Sequence, residues 1–417
     1  MAGGSFSLPL VMKRTLVVLL IACLAVAGAV VSALRIAAVP PIPTLSVVPG
    51  QLGAVPGPPP TIPLPRLGSY ALSTDRDGML ASQDLTAVHP IASMAKTLTA
   101  LVVLDAHPLA IDAAGPEITV TPADVDVLKT VIAEGGTFAP VQAGESLSER
   151  QLLLGMMLPS ANNFAVMLAN WVGGSQTGFL VALNAKAAAL GMAHTHFADP
   201  DGLSADTVST AQDLIVLGTA AVESPTLAAI TGTQSATLPD GTVITNIDTL
   251  VGTQPGWIGI KTGHTDAAGY CLLFAARRSL SPAAPPLVIV GVVLGQATRQ
   301  DTFTAATAGV DAATKGYTVI DLAPLRPSVG GQVSAPWGAT STLQLSASTS
   351  STPQLMRLGS AISVTVEPQA LTSATVAGGT QVAVIRAAGN GQTIATWKVQ
   401  TTTAITPPGW WWRLWHD

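Results

Sequence analysis

The chain has 417 residues, of which 48% are hydrophobic and 10% are charged, and its formal net charge is −5. The apolar content excludes a disordered chain, and the lack of surplus positive charge argues against nucleic acid as a partner. The length predicts two or three domains with enough residues to bury a sizeable core. The two cysteines are expected to stay unpaired, because Cys23 lies in an apolar leader and Cys271 in a strand-like run.

The first 38 residues form the apolar leader. Lys13 and Arg14 precede an uncharged run, residues 15–34, which is long enough to span a bilayer. The flanking cations predict that the N-terminus stays in the cytoplasm. The leader is either a signal peptide that is cut after Ala29 or Ala33, or a retained membrane anchor. Both interpretations predict that the rest of the chain lies outside the cytoplasmic membrane.

A proline-rich segment, residues 39–66, follows the leader. Segments of this composition favour the extended polyproline II conformation and act as semi-rigid spacers. We therefore expect residues 39–66 to hold the next domain away from the membrane.

Residues 67–318 combine strand-like and helical patterns. Two strands, 69–74 and 79–82, flank turn residues and predict a hairpin. Ser148 and Gln151 form a capping-box pattern at the start of a helical block, which Pro159 interrupts. The other predicted elements are helices over 91–105, 145–173 and 299–315 and strands over 256–263, 269–277 and 286–295. Helices before and after an antiparallel sheet indicate an α+β fold.

The composition changes after residue 318. Residues 319–406 are rich in Thr, Ser, Val and Gly, carry little charge and alternate in strand fashion, which predicts a small all-β domain. Residues 407–417 hold four of the eight tryptophans. This tail is either an anchor at the membrane interface, which tryptophan favours, or a final strand that packs on the body of the protein.

Three short motifs carry the chemistry, and they occur in a fixed order. Ser93-Met94-Ala95-Lys96 comes first, Ser160-Ala161-Asn162 second and Lys261-Thr262-Gly263 third. The ordered patterns SxxK, SxN and KTG are the active-site set of the penicillin-recognising acyl-serine enzymes.

Each motif supplies a different chemical group. Ser93 and Lys96 lie three residues apart on a predicted helix, so their side chains share a face. Lys96 can accept the serine proton only when it is neutral, and burial together with a nearby cation favours the neutral form. Lys261 is the candidate for that cation. Ser160 offers a hydroxyl that can relay a proton, and Asn162 an amide that can fix a substrate peptide bond.

The third motif is predicted to end a strand and to bind a peptide. Lys261 supplies positive charge and Thr262 a hydroxyl for a carboxylate. Gly263 lets a peptide approach the strand edge closely, as in recognition by strand addition. The backbone N–H groups of His264 and Ser93 are the candidates for an oxyanion hole.

Taken together, residues 69–318 resemble the serine D-alanyl-D-alanine carboxypeptidases, the low-molecular-mass penicillin-binding proteins. The flanking segments that share the family pattern are His89-Pro90-Ile91-Ala92-Ser93, Leu158-Pro159-Ser160-Ala161-Asn162-Asn163, Asp199-Pro200-Asp201-Gly202-Leu203, Ser209-Thr210-Ala211-Gln212-Asp213-Leu214 and Gly259-Ile260-Lys261-Thr262-Gly263. The resemblance implies an α+β, β-lactamase/transpeptidase-like domain, here followed by the small all-β C-terminal domain.

The resemblance also implies a mechanism. Ser93 would attack the carbonyl between the two terminal D-alanines of a peptidoglycan stem peptide, and Lys96 would take its proton. Ser160 would relay the proton to the leaving D-alanine, while Lys261 and Thr262 hold the terminal carboxylate. Water would then cleave the acyl-enzyme, without a metal or organic cofactor. β-Lactam antibiotics would act as covalent inhibitors at Ser93.

Three positions depart from the family pattern, and a fourth, His196, suggests a different catalytic role. Asn163 stands where the family usually has aspartate, Asp199 where it has asparagine, and His264 where an aromatic residue is common. His196 invites a general-base interpretation, but the resemblance makes it structural, as expected of an interior histidine.

Three other functions remain open. A transpeptidase would carry the same motifs, with an amine in place of water. A class A β-lactamase needs a glutamate for deacylation, and Glu223 is the only glutamate between Asn162 and Lys261. A non-catalytic envelope scaffold would use the fold only to bind peptidoglycan.

Overall fold

The computed structural model describes residues 9–321, 326–346, 353–389 and 391–416. The chain divides into two compact units. Residues 55–320 and 353–360 form one, which we call the mixed unit, and residues 1–54, 321–352 and 361–417 form the other, which we call the β unit.

Helices and strands alternate irregularly along the chain. The helices are α1 (Leu10–Ala37), α2 (Ala95–Ala106), α3 (Pro122–Ala133), α4 (Glu149–Met157), α5 (Asn162–Gly173), α6 (Gln176–Ala189), α7 (Ala211–Glu223), α8 (Pro225–Thr231), α9 (Arg299–Lys315) and α10 (Trp410–Trp415). The strands are β1 (Thr44–Pro49), β2 (Tyr70–Thr74), β3 (Gly78–Gln83), β4 (His89–Pro90), β5 (Glu117–Thr119), β6 (Ser146–Ser148), β7 (Val208–Ser209), β8 (Ser235–Thr237), β9 (Val243–Thr245), β10 (Trp257–Thr265), β11 (Gly269–Arg278), β12 (Leu287–Gln296), β13 (Tyr317–Ile320), β14 (Val329–Ser334), β15 (Thr340–Leu345), β16 (Gln354–Arg357), β17 (Ser363–Pro368), β18 (Gln381–Gly389) and β19 (Gln392–Thr401).

The mixed unit is built on a five-stranded antiparallel sheet in the order β10-β11-β12-β2-β3. Both faces of the sheet are buried. Leu273 and Ala275 belong to the core shared with the helices between β4 and β9, whereas Leu272 and Phe274 belong to the core shared with α9. Because neighbouring strand residues point to opposite faces, burial on both faces explains the unbroken apolar run in β11.

Most of the predicted elements of this unit are confirmed, but the helical block predicted over 145–173 is wrong at its start, where Ser146–Ser148 form strand β6 and pair with β5. The hairpin forms as β2 and β3, and the three later strands form as β10, β11 and β12. Ser148 and Gln151 make both hydrogen bonds of a capping box at the start of α4. Cys23 and Cys271 are both free thiols, as expected.

The β unit contains a six-stranded sheet in the order β1-β14-β15-β19-β18-β17. The N-terminal strand β1 pairs antiparallel with β14 over its whole length. The spacer prediction is therefore wrong for Thr44–Pro49. Leu45 and Val47 alternate with exposed residues in this strand, and the surrounding prolines obscured that pattern in the sequence.

The predicted domain limits differ from the two units at two further places. Residues 55–66, predicted as spacer, belong to the mixed unit. Residues 353–360, predicted within the all-β domain, also belong to the mixed unit, where β16 pairs with β13. The tail forms the short helix α10, so its interpretation as a final strand is wrong.

Removing β1 is expected to loosen the β unit and leave the mixed unit intact. A chain that begins at residue 55 lacks the six residue pairs between β1 and β14, whereas a chain that begins at residue 39 keeps them. Hydrogen exchange measures the result. We expect faster amide exchange in β14 and β15 of the shorter chain, with β11 and β12 unchanged. Equal protection of β14 in both chains would contradict the pairing.

Among the described residues, α1 is the single continuous helix that is long and apolar enough to cross a membrane, with a mean hydropathy of 2.8 over its best window. Two bent helix pairs, α5 with α6 and α7 with α8, reach the same threshold only when each pair is taken as one span. Many residues of these pairs are buried in the core of the mixed unit, whereas the residues of α1 are unburied.

A buried carboxyl group starts α4. The side chain of Glu149 is 1% exposed, and neither of its oxygens has a hydrogen-bond partner among the described residues. Burial raises the pKa of Glu149 from 4.5 to about 7. Because the unfolded chain ionises at lower pH than the folded chain, this group makes the protein less stable as pH rises from about 4.5 through 7.

Replacing Glu149 by glutamine is expected to flatten that pH dependence. The raised pKa corresponds to about 1–3 kcal/mol of stability lost above pH 7, part of which the N-terminus of α4 offsets. Thermal unfolding in detergent at pH 5.5 and pH 8 measures this loss of stability. The two pH values lie about one to two units below and above the raised pKa of Glu149. The glutamine variant should lose less stability than the native chain between the two. An equal loss in both chains would show that Glu149 ionises freely in the folded state.

Candidate active site

Ser93 lies in a 3₁₀ turn, Ala92–Met94, immediately before α2. Ala92 has a φ of 46°, a left-handed conformation that is uncommon for a residue with a side chain. Gly202 packs on this turn so closely that a Cβ atom would lie 1.9 Å from the carbonyl oxygen of Ala92. The turn is therefore held in a strained shape by the loop that contains Gly202.

Lys96 is fully buried, and it joins three segments of the chain. Its Nζ donates hydrogen bonds to Ser93 Oγ at 2.8 Å, to Asn162 Oδ1 at 2.7 Å and to the carbonyl oxygen of Asp201 at 2.8 Å. An ammonium group has three hydrogens to donate, so these contacts use its whole capacity. The amine is fixed against the hydroxyl of Ser93.

Burial lowers the pKa of Lys96 to about 8. The negative charges of Asp201 and Asp199 act in the opposite direction. Burial likewise raises the pKa of Asp201, to about 6. The amine is thus poised to exchange a proton near neutral pH, as a general base requires.

The second motif connects α4 to α5. Ser160 has a φ of 69°, and its hydroxyl is buried without a hydrogen-bond partner among the described residues. Asn162 is the first residue of α5, and its backbone N–H donates to Thr137 O at 2.7 Å. Pro159 directly follows Leu158, the C-cap of α4, so the helix ends where the sequence predicted a break.

The third motif lies in β10, the terminal strand of the five-stranded sheet. Gly263 brings this strand against the turn of Ser93: a Cβ atom on it would lie 3.1 Å from Ile91 O and 3.4 Å from Ser93 N. Any side chain there would press on the backbone of the turn. The free edge of the sheet consequently runs beside Ser93.

Lys261 is almost completely buried, and its Nζ donates to Thr262 O at 3.1 Å. Its pKa is well below the usual value, first because of burial and second because of the positive charge of Lys96. The carboxylate of Asp248 acts in the opposite direction. The charge of Lys96 thus lowers the pKa of Lys261, whereas the pKa of Lys96 is lowered by burial and not by Lys261. The expectation that Lys261 is the cation that favours neutral Lys96 is therefore wrong.

The positions that depart from the family pattern have clear contacts. Asn163 is buried, and its amide donates to Ala139 O at 2.9 Å and accepts from Ala139 N at 3.1 Å. An ionised aspartate could accept but not donate there. The exposed imidazole of His264 stacks on Tyr270 with ring centroids 4.0 Å apart.

Asp199 organises the loop that carries Asp201. Its carboxylate accepts from the N–H groups of Gly202 and Ser204 at 3.0 and 2.6 Å and from Thr207 Oγ1 at 2.5 Å. A carboxylate accepts through both oxygens, whereas an asparagine has a single acceptor oxygen. Asp199 thereby supports the loop whose carbonyl group at Asp201 binds Lys96.

His196 lies outside this cluster. Its backbone forms a β-bridge with Val208, with both hydrogen bonds at 2.9 Å. Its side chain is exposed, so the expectation of an interior histidine is wrong. The structure thus gives His196 a backbone role in the same loop region.

Sequence reasoning missed the carbonyl group of Asp201 as the third acceptor for Lys96. The segment Asp199-Pro200-Asp201-Gly202-Leu203 was part of the family pattern, but backbone acceptors leave no signal in residue type. It also missed Asp248, whose negative charge raises the pKa of Lys261. The carboxylate of Asp248 accepts a hydrogen bond from Trp257 Nε1 at 2.8 Å.

Together these groups have the arrangement that acyl transfer requires. The hydroxyl of Ser93 is hydrogen-bonded to a buried amine of lowered pKa, and the edge strand β10 passes beside this serine. The hydroxyl of Ser160 has no hydrogen-bond partner among the described residues. No group of three or more metal-ligating side chains occurs in the part of the chain that the structure describes.

Comparison with known proteins supports this assignment. Residues 70–297 match the family described as D-alanyl-D-alanine carboxypeptidase, peptidase S11. The D-alanyl-D-alanine carboxypeptidase DacB2 of Mycobacterium tuberculosis is 38% identical over 216 residues, covering 49% of this chain and 68% of the relative. A D-alanyl-D-alanine endopeptidase of Pseudomonas aeruginosa is 36% identical over 246 residues, covering 54% of this chain and 73% of the relative.

A solved structure is similar over the same region. The DD-transpeptidase of a Streptomyces strain superposes with a TM-score of 0.54 at 27% identity, covering 61% of this chain and 99% of that protein. This similarity confirms the predicted transpeptidase-like α+β fold. Because the family match covers more than half of the chain, from β2 to the end of β12, this chain belongs to the D-alanyl-D-alanine carboxypeptidase family of serine peptidases.

Proposed function

We propose that this protein is a serine D-alanyl-D-alanine carboxypeptidase that removes the terminal D-alanine from peptidoglycan stem peptides. The observation that carries the proposal is the hydrogen bond of 2.8 Å between Lys96 Nζ and Ser93 Oγ, made by a fully buried amine. A buried lysine of lowered pKa is a suitable base for a serine nucleophile.

In the first step Ser93 Oγ forms a bond to the carbonyl carbon between the two D-alanines. Lys96 takes the hydroxyl proton, and the hydroxyl of Ser160 passes it to the amine of the leaving D-alanine as the C–N bond breaks. The backbone N–H groups of Ser93 and His264 would stabilise the negative charge on the oxygen. Water then cleaves the ester, which releases the shortened peptide and restores Ser93.

The third motif and Asn162 would position the peptide. A substrate strand that adds to the free edge of β10 meets no side chain at Gly263. Its carboxylate would bind Lys261 and the hydroxyl of Thr262, and this negative charge would return the pKa of Lys261 towards its usual range. Asn162 offers the amide that contacts the peptide bond. β-Lactams would enter the same site and acylate Ser93.

The membrane-spanning length of α1 supports a location at the outer face of the cytoplasmic membrane. We propose that α1 is a retained anchor, since the helix is long and apolar enough to cross a membrane. Peptidoglycan, the proposed substrate, lies on that side of the membrane.

The test is D-alanine release from a pentapeptide that ends in D-Ala-D-Ala, with the full chain in detergent. We expect release by the native protein and none by Ser93→Ala. Labelling of Ser93 by penicillin without D-alanine release would favour a transpeptidase. Neither release nor labelling by a folded sample would favour a non-catalytic scaffold.

A further inference from the structure

A groove lies between helix α3 and the loop that carries Asp201, and we call it the α3 groove. Its volume is about 880 Å³. The apolar part of its lining comes from Val127 and Val131 on α3, Val166 on α5 and Leu203 on the loop. Leu203 is 36% exposed. The groove thus offers an apolar surface along one face of α3.

Four carboxyl groups line the same groove. Asp126 and Glu134 belong to the α3 side, and Asp199 and Asp201 belong to the loop. Asp126 forms an exposed ion pair with Lys129, whose Nζ lies 2.8 Å from Oδ1. The carboxylate of Glu134 has no hydrogen-bond or ion-pair partner in the part of the chain that the structure describes. The groove therefore carries negative charge that a cationic group can neutralise.

Asp201 adds a buried carboxyl group to this lining. Its side chain is 6% exposed. Burial is the main cause that raises the pKa of Asp201 to about 6; Lys96 acts in the opposite direction, and the charge of Asp199 raises the pKa further. A second cation near Asp199 and Asp201 would stabilise their ionised forms. The pair thus favours a positively charged ligand over a neutral one.

The α3 groove begins beside the nucleophile. Asp201 O accepts from Lys96 Nζ at 2.8 Å, and the same Nζ donates to Ser93 Oγ at 2.8 Å. Two hydrogen bonds therefore separate a wall of the groove from the attacking oxygen. Gly202 of the same loop packs on Ala92, in the turn of Ser93 that β10 also approaches. A peptide that adds to the edge of β10 over this turn also comes close to the loop.

The residue that precedes D-Ala-D-Ala has the reach to enter the groove. Its Cα lies about 4 Å from the Cα of the acylated D-alanine. Successive side chains of an extended peptide point to opposite faces, so one of them can point away from β10. A lysine side chain has an apolar four-carbon stem and a terminal ammonium group. This shape matches a groove with an apolar wall and carboxylates around it.

We propose that the α3 groove is a subsite for a basic side chain on the residue that precedes D-Ala-D-Ala, and that Glu134 binds its ammonium group. The stem of that side chain packs on Val127 and Val131, and the carboxylates of the groove neutralise its charge. The inference rests on the proposed carboxypeptidase function and names the part of the substrate that the enzyme selects. Glu134 is then a residue that determines specificity and takes no part in the chemistry at Ser93.

D-alanine release from two matched pentapeptides tests the proposal. Both end in D-Ala-D-Ala, and the preceding residue is lysine in one and Nε-acetyllysine in the other. For the native full chain in detergent we expect kcat/KM to be about fivefold higher with the free amine, the size of an ion pair at a partly exposed site. This preference should disappear in Glu134→Lys and persist in Glu223→Lys.

The two variants are matched, because each reverses the charge of an exposed glutamate and Glu223 lies outside the α3 groove. Glu134 is the C-cap of α3, where the helix dipole favours a lysine. Equal labelling of Ser93 by penicillin checks that both variants are folded.

Equal kcat/KM for the two peptides with the native chain would overturn the subsite and leave the carboxypeptidase function intact. So would a preference that Glu134→Lys leaves unchanged. Release from neither peptide by a chain that penicillin labels would contradict the proposed function, and the subsite with it.

Discussion

Replacing Lys96 by alanine is expected to slow the acylation of Ser93 by penicillin about 10²–10⁴-fold, the range for loss of a general base. The buried amine contacts Ser93 Oγ directly, and among the described residues no other titratable side chain is hydrogen-bonded to that atom. The measurement is the second-order rate constant of labelling with a fluorescent penicillin, followed over time by gel or fluorescence anisotropy.

Lys129→Ala is the matched control. It removes the same side chain from an exposed ion pair with Asp126, where the Nζ–Oδ1 distance is 2.8 Å. This variant should label at the native rate. A Lys96→Ala variant that labels within a few-fold of the native chain would show that another group takes the proton of Ser93.

Replacing Asp199 by asparagine is expected to move the rising part of the pH–rate profile to lower pH. Acylation needs neutral Lys96, so the rate increases as pH rises through the pKa of this lysine, about 8. The charges of Asp201 and Asp199 raise that pKa. Removing one negative charge lowers it, and a shift of about half a unit makes the variant about threefold faster below neutral pH.

Asp201 is the other carboxylate whose charge acts on Lys96, and it stays unchanged in this experiment. Thr207→Val is the control, because it removes the hydrogen bonds of this hydroxyl to the carboxylate of Asp199 and to the backbone N–H groups of Ala198 and Asp199 without a change in charge. A rate that falls equally at every pH, with no shift of the profile, would show that Asp199 only shapes the loop.

Local patterns explain what the sequence could predict. Ser93 and Lys96 lie one helical turn apart, and the capping pair Ser148 and Gln151 acts within one turn as well. Interactions of this range can be deduced from residue spacing alone. The order of the three motifs then restricted the fold to the architecture that the similar structures confirm.

Non-local pairing explains what the sequence could not predict. Strand β1 pairs with β14, which places Thr44 opposite Ser334, 290 positions along the chain. The prolines around Thr44–Pro49 outweighed the alternating pattern of this strand. The contact of Lys96 with Asp201 joins residues 105 positions apart through a backbone oxygen. The bonds between α1 and α10 also depend on carbonyl groups, which every residue type carries.

The most direct test of the account is the position of the covalent penicillin adduct. Intact mass spectrometry of the full chain treated with penicillin, followed by peptide mapping, identifies the modified residue. We expect one adduct per chain, carried by Ser93 and absent from Ser93→Ala. An adduct on Ser160 or elsewhere, or an unmodified protein that is folded, would contradict the assignment of Ser93 as the nucleophile.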